Sequence, residues 1–164
     1  MKLKDFSKEL KFNDEGCLPR GIYQLTLGEV ENHFVDGKSQ RRRDIFEEFK
    51  VHLMEIQETG CCLNHWIDGS FVTLKENPGD IDTLTEFDGV KVDELGIKDR
   101  LEDLIYNAPL RTNGSCHSLM VIKYPKDFEE LYEQYLYFKS NILIMLFCRN
   151  KETKNPKGFI ELRR

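Results

Sequence analysis

Two aspartates that stand one residue apart, Asp80 and Asp82, follow the pair Gly69-Ser70 after a spacer of nine residues. Side chains at positions i and i+2 of a β-strand point to the same face, so a strand here would set the two carboxylates side by side. Like charges this close are unfavourable unless a cation neutralises them. Mg²⁺ binds carboxylate oxygens and keeps positions free for phosphate oxygens, and Mn²⁺ accepts the same donors. Asp80 and Asp82 are therefore candidate ligands of a catalytic metal ion.

The Gly-Ser pair could supply the phosphate-binding half of such a site. Gly69 lets a phosphate approach the backbone closely, and the Ser70 hydroxyl and nearby N–H groups can hydrogen-bond to it. Lys75, in the spacer, is a further candidate for a phosphate contact, with a solvated loop lysine as the alternative. For the whole stretch, the alternative is an acidic strand end that follows a polar loop.

Length and charge limit the kinds of protein that this chain can be. Its 164 residues are 40% hydrophobic and 32% charged, as expected of one globular domain. We predict a single domain over 1–164, with an N-terminal arm at 1–25 and a C-terminal helix and terminal strand within 127–164. The formal net charge is −5, which argues against tight non-specific DNA binding because that requires a positive surface.

Three further features concern location and redox state. No apolar run approaches the ~18 residues that span a membrane, and the N-terminal MKLKDFSKEL lacks the apolar core of an export signal. Both features predict a cytoplasmic protein without a membrane partner. The five cysteines form no CxxC pair, so reduced and mostly buried thiols are expected.

Periodicity and capping residues predict alternating helices and strands. Thr26 and Glu29 fit a capping box, Ser39 is placed to cap a long amphipathic helix, and Asp127 is placed to cap the last helix. Helices are predicted over about 26–35, 40–59, 97–107 and from 128, and strands over about 62–67, 80–87, 118–124 and 159–163. Residues 11–25 have the pattern of an irregular arm, and 142–147 fit either a helical extension or a strand. The fold class expected is α+β (α/β), a small mixed β-sheet flanked by helices.

Two groups of side chains allow more than one function. The run Arg41–Arg43 could contact phosphate or a nucleic-acid backbone, or form a solvated face with neighbouring acids. A basic first turn is unfavourable for the helix dipole and therefore needs an explanation. The aromatic residues of the last helix could stack on a base or belong to the core; they are Tyr132, Tyr135, Tyr137 and Phe138.

The stretch W-I-D-G-S-F-V-T…P-G-D-I-D resembles the signature of the DNA polymerase β-like nucleotidyltransferase superfamily. The resemblance is closest to an uncharacterised family of short bacterial and phage nucleotidyltransferase-like proteins, which also show G-x-L-P-x-G, an Arg-rich helix start and P-K-G. These flanking motifs stand here at 16–21, 41–43 and 156–158. The resemblance implies a minimal nucleotidyltransferase fold in which Gly69 and Ser70 hold the triphosphate of an NTP and Asp80 and Asp82 bind Mg²⁺.

The chain departs from the superfamily pattern at the third carboxylate, which active members usually carry on a neighbouring strand. The corresponding stretch, CHSLMVIKY, contains no acid, and the matching position is His117 or Ser118. Histidine exchanges protons near neutral pH, which makes His117 a candidate catalytic base. Glu86 lies on the same strand face as Asp82 but about 13 Å along the strand, too far to share its metal ion.

Two functions from different classes follow from the resemblance. The first is Mg²⁺-dependent NTP binding with nucleotidyl transfer to a hydroxyl on RNA, protein or a small molecule. The second is a nucleotidyltransferase-fold binding module with weak or lost catalysis, which acts through a protein partner of the toxin–antitoxin or phage-defence type. A structural protein with a fortuitous motif is the third alternative.

Overall fold

The structure is a computed structural model that describes residues 3–5 and 10–163. A six-stranded sheet runs through it in the order β1-β2-β6-β3-β4-β5, with parallel and antiparallel pairs. The strands are β1 (Leu3–Asp5), β2 (Ile22–Leu25), β3 (Cys62–Asp68), β4 (Ile81–Asp88), β5 (Cys116–Lys123) and β6 (Phe159–Leu162). A mixed sheet flanked by helices confirms the predicted α+β class.

Along the chain, the described helices lie between β2 and β6. They are α1 (Leu27–Phe34), α2 (Gln40–Glu58), α3 (Gly89–Leu95), α4 (Lys98–Tyr106), α5 (Ala108–Arg111) and α6 (Glu129–Ile142). Thr26 and Glu29 form the expected capping box of α1. The Ser39 side chain caps α2, and the predicted apolar stripe of α2 is buried against the sheet. These two helices confirm the predictions from capping and periodicity.

Three local predictions were wrong or incomplete. Phe128, and not Asp127, occupies the N-cap of α6, and no side chain of the described residues caps this helix. The predicted helix over 97–107 is preceded by a separate helix, α3, which follows β4 directly and is capped by Asp88. Strand β2 lies in the stretch predicted to be irregular, because its hydrogen-bonding partner is β6 at the far end of the chain. The run at 142–147 extends α6 as a π-helical turn.

Two general predictions concern thiols and membranes. All five cysteines are free thiols, and four of them are buried, as expected: Cys17, Cys61, Cys62 and Cys116. Within the described ranges, no helix combines the length and apolar character that crossing a bilayer requires.

Two histidines are buried between α2 and the sheet. His52 Nε2 lies 2.9 Å from Ser118 Oγ, and His65 Nδ1 lies 2.8 Å from Thr85 Oγ1. The second ring nitrogen of each histidine is buried and has no hydrogen-bond partner among the described residues. Burial lowers the pKa of His52 to about 4 and that of His65 to about 3. The fold therefore holds both imidazoles in the neutral form.

Stability should decrease with acid through these two histidines. Their folded pKa values lie below the unfolded value, so the stabilisation is complete above about pH 6.5 and is lost as the pH falls below it. Between about pH 6.5 and pH 5 the expected loss is about 3 kcal/mol for the pair. Urea unfolding at both pH values would compare the wild type with the His52→Gln/His65→Gln double variant. The other titrating groups are common to both proteins, so their effects cancel in the comparison. If the free energy of unfolding changed equally with pH in both proteins, this prediction would be contradicted.

Candidate metal and nucleotide-binding site

Strand register brings the predicted metal-site residues to one place. On β4, Asp82 lies opposite Asp68 of the antiparallel β3 and opposite His117 of the parallel β5. Asp80 immediately precedes β4, and its Oδ2 lies 2.8 Å from His117 Nδ1. Asp80, Asp82 and His117 each offer one ligand atom, and these three atoms all lie within 4.8 Å of one another. Two carboxylates and an imidazole at this separation can bind a divalent cation.

The Gly-Ser turn lies directly beside this cluster. Gly69 has φ +84°, and a Cβ at this position would clash with Oδ2 of Asp82 and lie 3.2 Å from its Cγ. Only glycine therefore fits both the backbone conformation and the close approach to the carboxylate. Ser70 begins a short 3₁₀ turn, Ser70–Val72, at the end of β3. The turn and the aspartates thus form one continuous polar surface.

A cleft of about 710 Å³ opens beside the turn, and four of the predicted site residues line it: Gly69, Ser70, Lys75 and Asp80. Its walls come from the N-terminal arm at 13–17 and from the loop at 150–152, and Lys157 also lines it. A volume of this size lies within the range of small-ligand pockets. Lys75 is exposed and lines the cleft.

The weak flanking motifs of the sequence meet at this cleft. Leu74 N–H donates to Gly16 O at 2.8 Å, and Gly158 N–H donates to Leu18 O at 2.8 Å. A Cβ on Gly158 would lie 2.5 Å from the Pro19 carbonyl oxygen, so this approach also requires glycine. The N-terminal arm, the spacer after Ser70 and the P-K-G segment therefore support one another.

The comparison with protein families supplies one match. A family model described as "Family of unknown function (DUF6932)" covers residues 10–163. The chain belongs to this family. No curated protein and no solved structure matches it. Membership in DUF6932 names no activity, so the resemblance to nucleotidyltransferases and the roles assigned to the site residues stay predictions.

A buried ion pair that the sequence did not predict joins Lys157 and Asp68 of the DUF6932 chain. Lys157 Nζ lies 2.5 Å from Asp68 Oδ1, and both side chains are buried. Burial raises the pKa of Asp68 to about 7, although Lys157 acts in the opposite direction. Both residues stood inside quoted motifs, D-G-S and P-K-G. Nothing local could pair them, because 89 positions separate them along the chain.

A second missed contact joins the basic loop to the metal-site candidates. Lys151 Nζ lies 3.0 Å from Asp82 Oδ2. Partial burial alone would lower the Lys151 pKa, but the hydrogen bond and charge of Asp82 raise it overall. Lys151 is therefore a firmly protonated cation placed on one of the two aspartates. Lys151 and Lys154 make this loop basic, but the sequence around them does not indicate a partner for either lysine.

Arg42 has a different role from the two that its sequence context suggested. Its guanidinium is buried and donates five hydrogen bonds to four backbone carbonyls: those of Phe34, Phe71, Thr73 and Lys75. Neither a phosphate contact nor a solvated face fits this geometry. Arg41 also donates to the Gly79 carbonyl. The basic first turn of α2 therefore anchors the spacer between Ser70 and Asp80, whose carbonyls would otherwise lack donors.

The remaining candidates separate into two faces of the sheet. Ser118 is buried and bonds to His52 and Thr83, so His117 is the β5 residue beside the aspartates. Glu86 lies apart, as expected, and accepts bonds from Tyr135 and Lys139 at 2.7 and 2.6 Å. Burial would raise the pKa of Glu86, but these bonds lower it overall. Tyr135 is thus a core residue and no base-stacking surface.

Proposed function

We propose that this protein binds a nucleoside triphosphate with Mg²⁺ or Mn²⁺ in the cleft beside Gly69-Ser70, and transfers its nucleotidyl group to a hydroxyl acceptor. One observation carries the proposal: three potential metal donors converge against a glycine turn that only glycine can form. The wide cleft, the lysines at its wall and the superfamily resemblance point in the same direction.

The donor chemistry fits the metal that the resemblance implies. Asp80 and Asp82 supply the hard oxygen donors that Mg²⁺ and Mn²⁺ prefer. Such an ion, when bound, neutralises charge on the phosphates and on the reacting oxygens. The imidazole of His117 is a weaker partner for Mg²⁺ than a carboxylate would be, which favours a second role for this side chain.

We assign the proton transfer to His117. When its Nδ1–H donates to Asp80, Nε2 is left as the nitrogen that can accept a proton. In the proposed reaction the acceptor oxygen attacks the α-phosphorus, the bond to the bridging oxygen breaks, and pyrophosphate leaves. The acceptor's proton goes to Nε2. Gly69 and Ser70 hold the triphosphate during this step through backbone N–H and hydroxyl donors.

A second candidate is a nucleotide-binding module without turnover that acts through a protein partner. The observation that favours it is the composition of β5, which offers a histidine and no carboxylate beside the aspartates. Incubation with α-³²P-labelled NTPs, Mn²⁺ or Mg²⁺ and total RNA or lysate separates the two candidates. Label transfer that His117→Gln reduces supports the enzyme. Tight NTP binding without any transfer supports the module.

The contact between Lys151 and Asp82 leads to two expected effects of opposite sign. Lys151→Gln removes a competing cation, so Mn²⁺ alone should bind roughly threefold more tightly. The same change removes a phosphate donor, so metal-bound NTP should bind about tenfold more weakly. Isothermal titration would measure both. Lys154→Gln in the same loop is the control, because the Lys154 Nζ donates, among the described residues, to the Lys151 carbonyl alone. Effects of equal sign would contradict this role.

A further inference from the structure

One edge of the sheet is a long apolar strand. β5 stands at the end of the strand order and, among the described strands, pairs only with β4. It has eight residues, and its central stretch Ser118–Ile122 contains no charge and no proline. Folded proteins usually protect such an edge with charges, prolines, bulges or a covering element. A strand whose five central residues lack charges and prolines is suited to pairing with another strand.

A groove of about 390 Å³ runs along this edge, so a strand that paired with the β5 backbone would also contact the side chains that line the groove. Its floor is formed by Leu119 to Ile122, and its walls come from α4 on one face and α6 on the other. Large apolar side chains on both walls are exposed: Tyr106 by 58%, Leu131 by 39% and Phe138 by 56%. Exposure of this kind on both sides of a strand edge marks an interaction surface.

The charges of the groove are self-complementary. Lys98 and Glu102 lie one turn apart on α4 and both line the groove. Neither has an ion-pair partner within the part of the chain that the structure describes. If two α4 helices lie antiparallel about a two-fold axis, Lys98 faces Glu102 of the partner subunit, and the same pair forms again by symmetry.

We propose that the partner of this edge is a second copy of the chain, bound through antiparallel pairing of β5 with β5. Antiparallel neighbours in one sheet are related by a two-fold axis normal to the sheet, which keeps the two α6 helices on the same side. The exposed stripe of α6 that contains Leu131 and Phe138 then packs against the same stripe of the partner subunit's α6. In a register centred on Met120, Leu119 lies opposite Val121 of the partner subunit. The two sheets become one continuous sheet.

The second copy is preferred over an unrelated strand for a specific reason. A heterologous peptide would satisfy the backbone and the apolar walls, but it would match Lys98 and Glu102 only if it carried an acid and a base at the right spacing, which a second copy of α4 supplies. The two-fold arrangement satisfies the strand, both apolar walls and both charges at once. This interface does not depend on the proposed nucleotide site, so the failure of either proposal leaves the other standing.

Size-exclusion chromatography with light scattering tests the interface on the 164-residue chain. The wild type should elute with twice the protomer mass of 19.3 kDa at tens of micromolar. Lys98→Glu should raise the dimer dissociation constant at least ~10-fold by placing like charges opposite one another. The double variant Lys98→Glu/Glu102→Lys should restore the dimer, because the pairs form again with reversed sign.

The apolar wall has its own matched pair of variants. Phe138→Asp should also favour the monomer, whereas Tyr137→Asp should not, since Tyr137 is 67% exposed on the same helix but does not line the groove. The four substituted side chains are exposed or partly exposed: Lys98, Glu102, Tyr137 and Phe138. Circular dichroism would verify that each variant folds. A monomeric wild type overturns the proposal, as does a monomer that instead captures an extended peptide on β5. A dimer that either Lys98→Glu or Phe138→Asp leaves intact also overturns it.

Discussion

The double variant Asp80→Asn/Asp82→Asn should lose at least ~100-fold in affinity for metal-bound NTP, since changes outside the ligand shell alone cost 10–100-fold. Asparagine keeps the size and shape of each side chain but removes both negative charges. The remaining His117 and the Gly69-Ser70 turn cannot hold a divalent cation, and the triphosphate loses the part of its attachment that runs through the metal ion. Titration with a non-hydrolysable NTP and Mn²⁺ measures the loss directly.

The fold should survive this double substitution, which makes the binding result interpretable. Asp80 and Asp82 are half-buried, and removing two neighbouring like charges relieves repulsion. The gain offsets the loss of the partly exposed contacts to His117 and Lys151, so the melting temperature should change by only a few degrees. Asp127→Asn, at an exposed position away from the site, is the control and should bind as the wild type does. If the double variant keeps full metal-dependent affinity, the aspartates do not bind the metal.

Arg42→Met should destabilise the protein by about 3–5 kcal/mol, the cost expected when a buried, hydrogen-bonded charge loses its partners. Methionine fills much of the space but donates no hydrogen bond, so the carbonyls of Phe71, Thr73 and Lys75 lose a donor inside the protein. The spacer would then no longer be fixed between Ser70 and Asp80. Equilibrium urea unfolding gives the energy, and NTP titration gives the effect on the site.

Two neighbouring variants show whether this effect is specific. Arg43→Met changes the next residue, which is exposed and makes one long contact to the Lys38 carbonyl, so stability should change by less than ~0.5 kcal/mol. Arg42→Lys should recover little, because an ammonium with three donors cannot replace a planar group that reaches four carbonyls. Equal effects at positions 42 and 43 would show that helix charge, and not the buried contacts, matters.

Local patterns were enough to predict the elements that carry the site. Ser39 and the apolar stripe of α2 fixed a long helix, and the alternation around Asp80 and Asp82 indicated a strand with both carboxylates on one face. The capping rule failed at Asp127, where the chain turns into α6 without a side-chain cap. A single capping residue is weak evidence for the start of a helix when no second local signal supports it.

Contacts between distant segments could not be predicted from one sequence. The choice between His117 and Ser118 depends on the register of β5 against β4, which places His117 opposite Asp82. The pairing of Lys157 with Asp68 depends on the order of β6 and β3 in the sheet. The role of Arg42 depends on where the spacer passes over α2. Each of these facts is set by tertiary packing.

The most direct test of the proposed site is a crystal structure with Mn²⁺ and a non-hydrolysable NTP, in which anomalous scattering locates the metal. We expect the Mn²⁺ peak between the carboxylates of Asp80 and Asp82, with the triphosphate against the backbone of Gly69 and Ser70 and with Lys151 moved from Asp82 to a phosphate. A metal peak away from both aspartates, or a nucleotide bound outside this cleft, would contradict the proposed function.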